Sequence, residues 1–304
     1  TATTTTTTIA TPLKVGNSSV EQPIFGRTLA SCLGKTIAAW PRPWLLLVGD
    51  SNWRHMFDYI GREFAKVFDT VAKALIPGEV GNAWFDQDAI YASEGRRFRL
   101  SFRFMLHPNH RLALWQQVDS VNKFWYSRIQ QCRGIVSGKN IDYCTNGTQC
   151  REHNQPSAFA GQLWARGPHA LVFAHGLWCF PLSAATCEVR EETGRLLQTL
   201  GVFQTSSASA GAVAFPQKDQ PEFALWAGNF HIVSHPRIHN EDILMDQSCQ
   251  RNVAKRYGFP IFNLDDFINQ FEVENDVGGF HMKKKTLGRV IVGLMRHFAP
   301  GCVV

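Results

Sequence analysis

Apolar positions along this chain recur with two different periods, and the alternation between them sets out the elements. The run Trp44-Leu45-Leu46-Leu47-Val48 is apolar without a break and is bounded by Pro41-Arg42-Pro43 and Gly49-Asp50-Ser51. A parallel strand buried on both faces has that pattern. Met56, Phe57, Ile60, Phe64, Val67 and Phe68 then fall at helical spacing, with Asp50, Ser51 or Asn52 placed to cap the helix. The unit is strand, tight turn, helix, and Ser51 sits at the turn. From Arg97 to Met105 the chain alternates strictly. Phe98, Leu100, Phe102 and Phe104 face inward, while Arg97, Arg99, Ser101 and Arg103 face solvent, which predicts a half-exposed strand.

A helix is expected near Val118 to Ile129, and the weakly periodic stretch 130–165 reads as an inserted Cys-rich loop. Ala170-Leu171-Val172-Phe173 is a second buried strand, ending at Ala174-His175-Gly176, and Leu196, Leu197 and Leu200 mark the helix after it. Phe223 to Trp226 is a third strand. Ile243, Leu244, Val253, Ala254 and Tyr257 form a helix that Gly258 stops, before a short strand at Phe259 to Asn263. Leu287, Val290, Ile291, Leu294, Met295 and Phe298 make an amphipathic C-terminal helix. Strands alternating with helices predict an α/β fold, a three-layer sandwich around a central, mostly parallel sheet. Residues 1–40 are expected to be a Thr-rich N-terminal segment and lead-in, and 41–304 one domain. Ligands of such sheets bind beyond the carboxyl ends of the strands, where Ser51, His175 and the loop before the last helix fall.

Composition narrows the class. Of 304 residues, 44% are apolar and 18% charged, which suits a globular core and excludes disorder beyond the first residues. No segment approaches the ~20 apolar residues of a membrane-spanning helix. The chain begins at Thr1, so a signal peptide or membrane anchor is expected upstream. Lys and Arg number 31 against 25 Asp and Glu, a net charge of +6. That excess suits an anionic polysaccharide. It is too scattered for a nucleic-acid footprint. Lys283-Lys284-Lys285 opens the last helix and reads as a solvated face.

The eight cysteines are even in number, and Asn17 and Asn146 begin glycosylation sequons. With the Thr-rich start, they place the chain in the secretory pathway, in the Golgi lumen or outside the cell. Cys179 and Cys187 are close enough for a local bridge, Cys144 can pair with Cys132 or Cys150, and Cys302 can tie the C-terminus to Cys32. His231, His235 and His239 have metal-like spacing, but Pro236 breaks any helix there; no metal and no cofactor are expected. Trp53, Trp178 and Trp226 lie near strand ends and could stack on sugar rings.

A serine at a strand-to-helix turn projects its hydroxyl from the sheet beside unpaired helix N–H groups, but it needs a base to become a nucleophile. The block Val48-Gly49-Asp50-Ser51-Asn52-Trp53-Arg54 resembles the first block of the SGNH hydrolase superfamily. It is most similar to the PC-esterase group, with its trichome-birefringence-like polysaccharide O-acetyltransferases, where the block reads Gly-Asp-Ser-x-x-Arg. Leu171 to Trp178 is similar to the family's strand ending in Asn-x-Gly and an aromatic, and Gly278-Gly279-Phe280-His281 to its late Asp-x-x-His. The three blocks keep the family's order across roughly residues 40–300.

The resemblance implies an SGNH-type fold and ester chemistry on a glycan, as O-acetyltransferase or acetylesterase. Ser51 would be the nucleophile, His281 its base, and Arg54 a source of charge or a holder of the loop. The Ser51 N–H and Gly176 would contribute to the oxyanion hole. Two positions depart from the pattern. Gly278 stands where the family has Asp, leaving Asp276, or the more distant Asp265 and Asp266, to orient the imidazole. Ala174 stands where it has the oxyanion Asn, leaving His175 as a substitute donor. These departures motivate the alternative: a member without catalysis, acting as a glycan-binding or structural extracellular glycoprotein.

Overall fold

The computed structural model describes residues 24–76, 86–104, 168–174, 191, 221–228, 240–264 and 281–303. The expected insert and the helices near 118–129 and 196–200 lie outside the described residues. The elements run α1 (Arg27–Ala39), β1 (Trp44–Gly49), α2 (Ser51–Phe64), β2 (Asp69–Ile76), β3 (Asp86–Ser93), β4 (Arg96–Phe104) and β5 (Ala170–Ala174). Then come β6 (Phe223–Ala227), α3 (Asn240–Tyr257), β7 (Ile261–Phe262), α4 (Lys284–Phe298) and a 3-10 turn at Pro300–Cys302.

The strands form one seven-stranded sheet in the order β2-β3-β4-β1-β5-β6-β7. Strands β4, β1, β5, β6 and β7 run parallel to one another, whereas β2, β3 and β4 form an antiparallel meander at one end. The protein is therefore α/β with a mixed sheet. Strand β1 is central and every residue in it is buried, as its unbroken apolar run predicts.

Helices α1, α2 and α4 share one core with the sheet face that carries Leu45, Leu47, Phe98, Leu100, Phe102 and Val172. Side chains alternate across a strand, so Gly228, one residue past β6, points to the face opposite Ala227. A Cβ on Gly228 would meet Gln247 and Gln250 of α3 at 3.6 Å, so α3 lies against that opposite face. Helices thus flank the sheet. Helix α3 ends at Gly258, whose φ of 69° is left-handed, as the expected stop requires.

Helix α1 starts inside the lead-in that the sequence sets before residue 41, and it buries Ala30, Leu33 and Ile37 in the main core. A Cβ at Gly34 would collide with the Phe68 ring, so a glycine lets α1 settle onto Phe68 and Phe98. Cys32 on α1 is bonded to Cys302 in the C-terminal turn across a separation of 270 residues, the bridge the sequence suggested for that end. Cys249 is also disulfide-bonded. Cys132, Cys144, Cys150, Cys179, Cys187, Asn17 and Asn146 lie outside the described residues.

One expectation for β4 is corrected. Arg97 is exposed, but Arg99 and Ser101 are fully buried. The cause is β3, which places Asp88 directly opposite Ser101. Arg99 Nε and Nη2 donate to Asp88 Oδ1 at 3.1 and 2.8 Å. The Ser101 hydroxyl donates to the same oxygen, and Trp44 Nε1 donates to Ser101 Oγ at 2.9 Å. The guanidinium lies over the Trp44 ring, 4.4 Å from its centroid. A carboxylate from the neighbouring strand turns a row of polar residues from a solvent face into a buried network. Among the described residues no helix is long and apolar enough to cross a membrane, and no group of three metal-ligating side chains occurs.

Candidate active site

Strand β1 ends at Gly49 between β4 and β5, and the chain turns at Asp50 into α2. Asp50 is the N-cap: its backbone is extended, and its carboxylate accepts the Asn52 N–H at 2.9 Å. Its carbonyl accepts the Arg54 N–H at 3.1 Å. Neither bond uses the Ser51 N–H at the start of the helix. A Cβ on Gly49 would lie 2.5 Å from the Trp53 ring, so only a glycine lets the strand end beneath that indole. Trp53 and Trp226 are both 0% exposed. They are core residues, and the sugar-stacking role considered for them is corrected; Trp178 lies outside the described residues.

The structure brings Ser51 and His281 together. His281 Nε2 lies 2.8 Å from Ser51 Oγ across 230 positions of sequence. The segment carrying the imidazole is pinned at the next residue, where the Met282 N–H donates to Asn52 Oδ1 at 3.0 Å. Asn52 is fully buried and so is held in place. In sequence Asn52 is one of three candidate caps; its tie to the distant segment leaves no local signal. Helix α4 follows at once, burying Thr286 and Leu287. Lys284 Nζ stands 5.2 Å from the centroid of the Tyr59 ring and 3.9 Å from Glu63 Oε1, both on α2. Lys283, Lys284 and Lys285 are exposed, as expected, yet Lys284 also braces α4 against α2.

A second histidine completes the cluster. The His55 ring stacks on His281 with centroids 4.5 Å apart and planes at 27°. Arg54 Nη2 lies 3.3 Å from His55 Nε2. Burial lowers the basicity of Arg54, and the charges of Asp58 and Asp50 oppose that shift; the guanidinium keeps its charge. Burial raises the Asp58 carboxyl above its ordinary range, against Arg54, a hydrogen bond with Gln87, Arg62 and Lys73. Arg54 thus serves a polar cluster on the first turns of α2. His55 escapes a sequence reading because it falls just after the Gly49–Arg54 block and just before the apolar series that starts at Met56, and belongs to neither.

Asp276, Asp265, Asp266, Gly278, His175, Gly176 and the cluster His231, His235 and His239 lie outside the described residues. Ala174 is buried at the end of β5. It follows the Val48↔Phe173 pair and so stands level with Gly49, beside the serine turn. A hydroxyl in contact with an imidazole, beside a helix N-terminus, can pass a proton to the ring while the oxygen attacks an electrophile. The chain matches no protein-family model, no curated protein and no solved structure.

Proposed function

We propose that this protein transfers or hydrolyses an acyl ester of a glycan through a covalent intermediate on Ser51. The observation that carries the reading is the 2.8 Å contact of His281 Nε2 with Ser51 Oγ. In the productive tautomer the Ser51 hydroxyl donates to Nε2. Its oxygen bonds to the acyl carbon, the carbonyl electron pair moves onto the carbonyl oxygen, and the proton passes to His281. Collapse expels the alcohol, which takes that proton and leaves an acyl-serine. Water or a sugar hydroxyl then attacks in the same way, with His281 again as base. The Ser51 N–H, unused by the cap, is available to the developing oxyanion.

The order of the three sequence blocks, which resembles that of PC-esterase-type O-acetyltransferases, supports a glycan acetyl group as the substrate and an SGNH-type layout for the sheet. The paired cysteines support a secretory location. A chromogenic acetyl ester, supplied with and without an oligosaccharide acceptor, tests the proposal. One acetyl group should be trapped on the Ser51 peptide by rapid acid quench and mass spectrometry. Faster release with acceptor present marks a transferase. A chain that never carries acetyl at Ser51 overturns the reading. Ala174 favours a second reading, a glycan-binding member without turnover, because a buried methyl group offers no oxyanion donor; the same experiment decides between them.

Asn52→Ala should lower kcat for the acetyl ester by about 10–100-fold with little change in KM, because the base loses its anchor and not its substrate contacts. The stranded Met282 N–H should also cost about 1–3 kcal/mol of stability in a urea titration. An unchanged kcat in a folded variant would show that the tie does not hold His281.

A further inference from the structure

We infer that His55 is a positioning residue for His281, presenting to it the face of a neutral imidazole that Arg54 keeps neutral. The inference rests on the acyl-transfer reading and adds to it the group that steadies the proton-carrying ring. At 4.5 Å and 27° the two rings stand in an offset stack. Tilting the His281 ring out of its plane would require the two faces to part, so the stack fixes the plane in which the base works.

The charge of the stack matters as much as its geometry. When Ser51 gives up its proton, His281 changes from a neutral ring to a cation. A cation against the face of a neutral aromatic ring is attracted, and two cations at that spacing repel. The stack therefore assists proton transfer only while His55 stays neutral. Arg54 provides that condition. Its Nη2 lies 3.3 Å from His55 Nε2, and a guanidinium has donors but no acceptor. Nε2 must receive this bond on its lone pair, so the His55 proton sits on Nδ1. Protonating Nε2 would break the bond and set two cations side by side. On α2, the carboxylates of Asp58 and Asp50 act on Arg54 and hold its charge in place. On the facing segment, Lys283, Lys284 and Lys285 follow His281 and are exposed, with Lys284 Nζ turned toward Glu63 Oε1 at 3.9 Å.

Long-range proton–nitrogen correlation spectra of the full chain with labelled histidine test the tautomer directly. His55 should show a protonated Nδ1 and a bare Nε2 at neutral pH, and Arg54→Leu should give a mixture of tautomers. In kinetics, His55→Ala should lower kcat for the acetyl ester about tenfold with KM within about twofold, and His55→Phe should recover at least about a third of the rate. A proton on His55 Nε2 in the wild type, or full turnover by a folded His55→Ala variant, overturns the inference. If the alanine variant does not fold, the wild-type spectrum and the phenylalanine variant still decide. The spectrum needs no turnover, so the two ideas fail separately. An inactive wild type with the expected tautomer sinks acyl transfer and keeps the neutral stack; an active one with the other tautomer sinks the stack alone.

Discussion

Ser51→Ala is expected to reduce turnover of an acetyl ester by at least about a thousandfold while leaving the fold intact. The two halves of this expectation have separate causes. Activity goes because the acyl group has no oxygen to bond to, and what remains is whatever the helix N–H groups do for water. The fold stays because the helix cap is Asp50 and not Ser51, and the change removes one hydrogen bond, worth about 1 kcal/mol. His281→Ala should fall nearly as far, since a serine hydroxyl without its base is a poor nucleophile. The double variant should be no worse than either single one. Groups that act as a unit lose the whole of their joint effect with the first deletion. Ester hydrolysis assayed across the three variants, with a thermal melt on each, reads both parts. If Ser51→Ala stays within tenfold of the wild type, or the two losses multiply in the double variant, the pair does not work as nucleophile and base.

The unbroken Trp44–Val48 run and the turn after it made the placement of Ser51 legible without coordinates. A parallel strand buried on both faces must empty into a loop at the sheet's carboxyl edge, so the serine had only one place to go. The C-terminal helix was equally legible, because Leu287, Val290, Ile291 and Leu294 keep helical spacing. Strands β2 and β3 were not. Asp88 in the middle of β3 contradicts the usual composition of a strand, and only its partner Arg99, read as solvent-facing, explains it. The hairpin between β3 and β4 turns on Glu94 and Gly95, both at positive φ; glutamate there gives no turn signal. At the site, chemistry drew attention to Ser51, His281 and Arg54, while Asn52 counted only as a candidate cap and His55 drew no reading at all. Their roles depend on a segment some 230 positions away, and no local pattern encodes that approach.

Asp88→Ala should destabilise the protein by about 3–5 kcal/mol, more than most single changes, because it strands the buried Arg99 guanidinium. Asp88 is 1% exposed and Arg99 0%, so water does not reach the charge left behind. The pair itself need not be worth that much. Replacing both partners, Asp88→Leu with Arg99→Met, should return most of the loss, since burying two charges costs nearly as much as their attraction repays. Urea titration of the three variants measures this: the midpoint should drop steeply in the single variant and recover in the double one. A single variant within about 1 kcal/mol of the wild type would mean that Arg99 finds water or another partner, and the buried network would not be what closes this face of the sheet. The same variants also separate stability from chemistry. By strand register Arg99 stands level with Trp44 and Ser101 with Leu46. At ~3.3 Å per residue, that is about 10–16 Å along β1 from Gly49. At low temperature, where the single variant is still folded, its kcat should therefore stay close to that of the wild type. A drop matching that of Asn52→Ala would mean that strain in the network reaches the serine turn through β1.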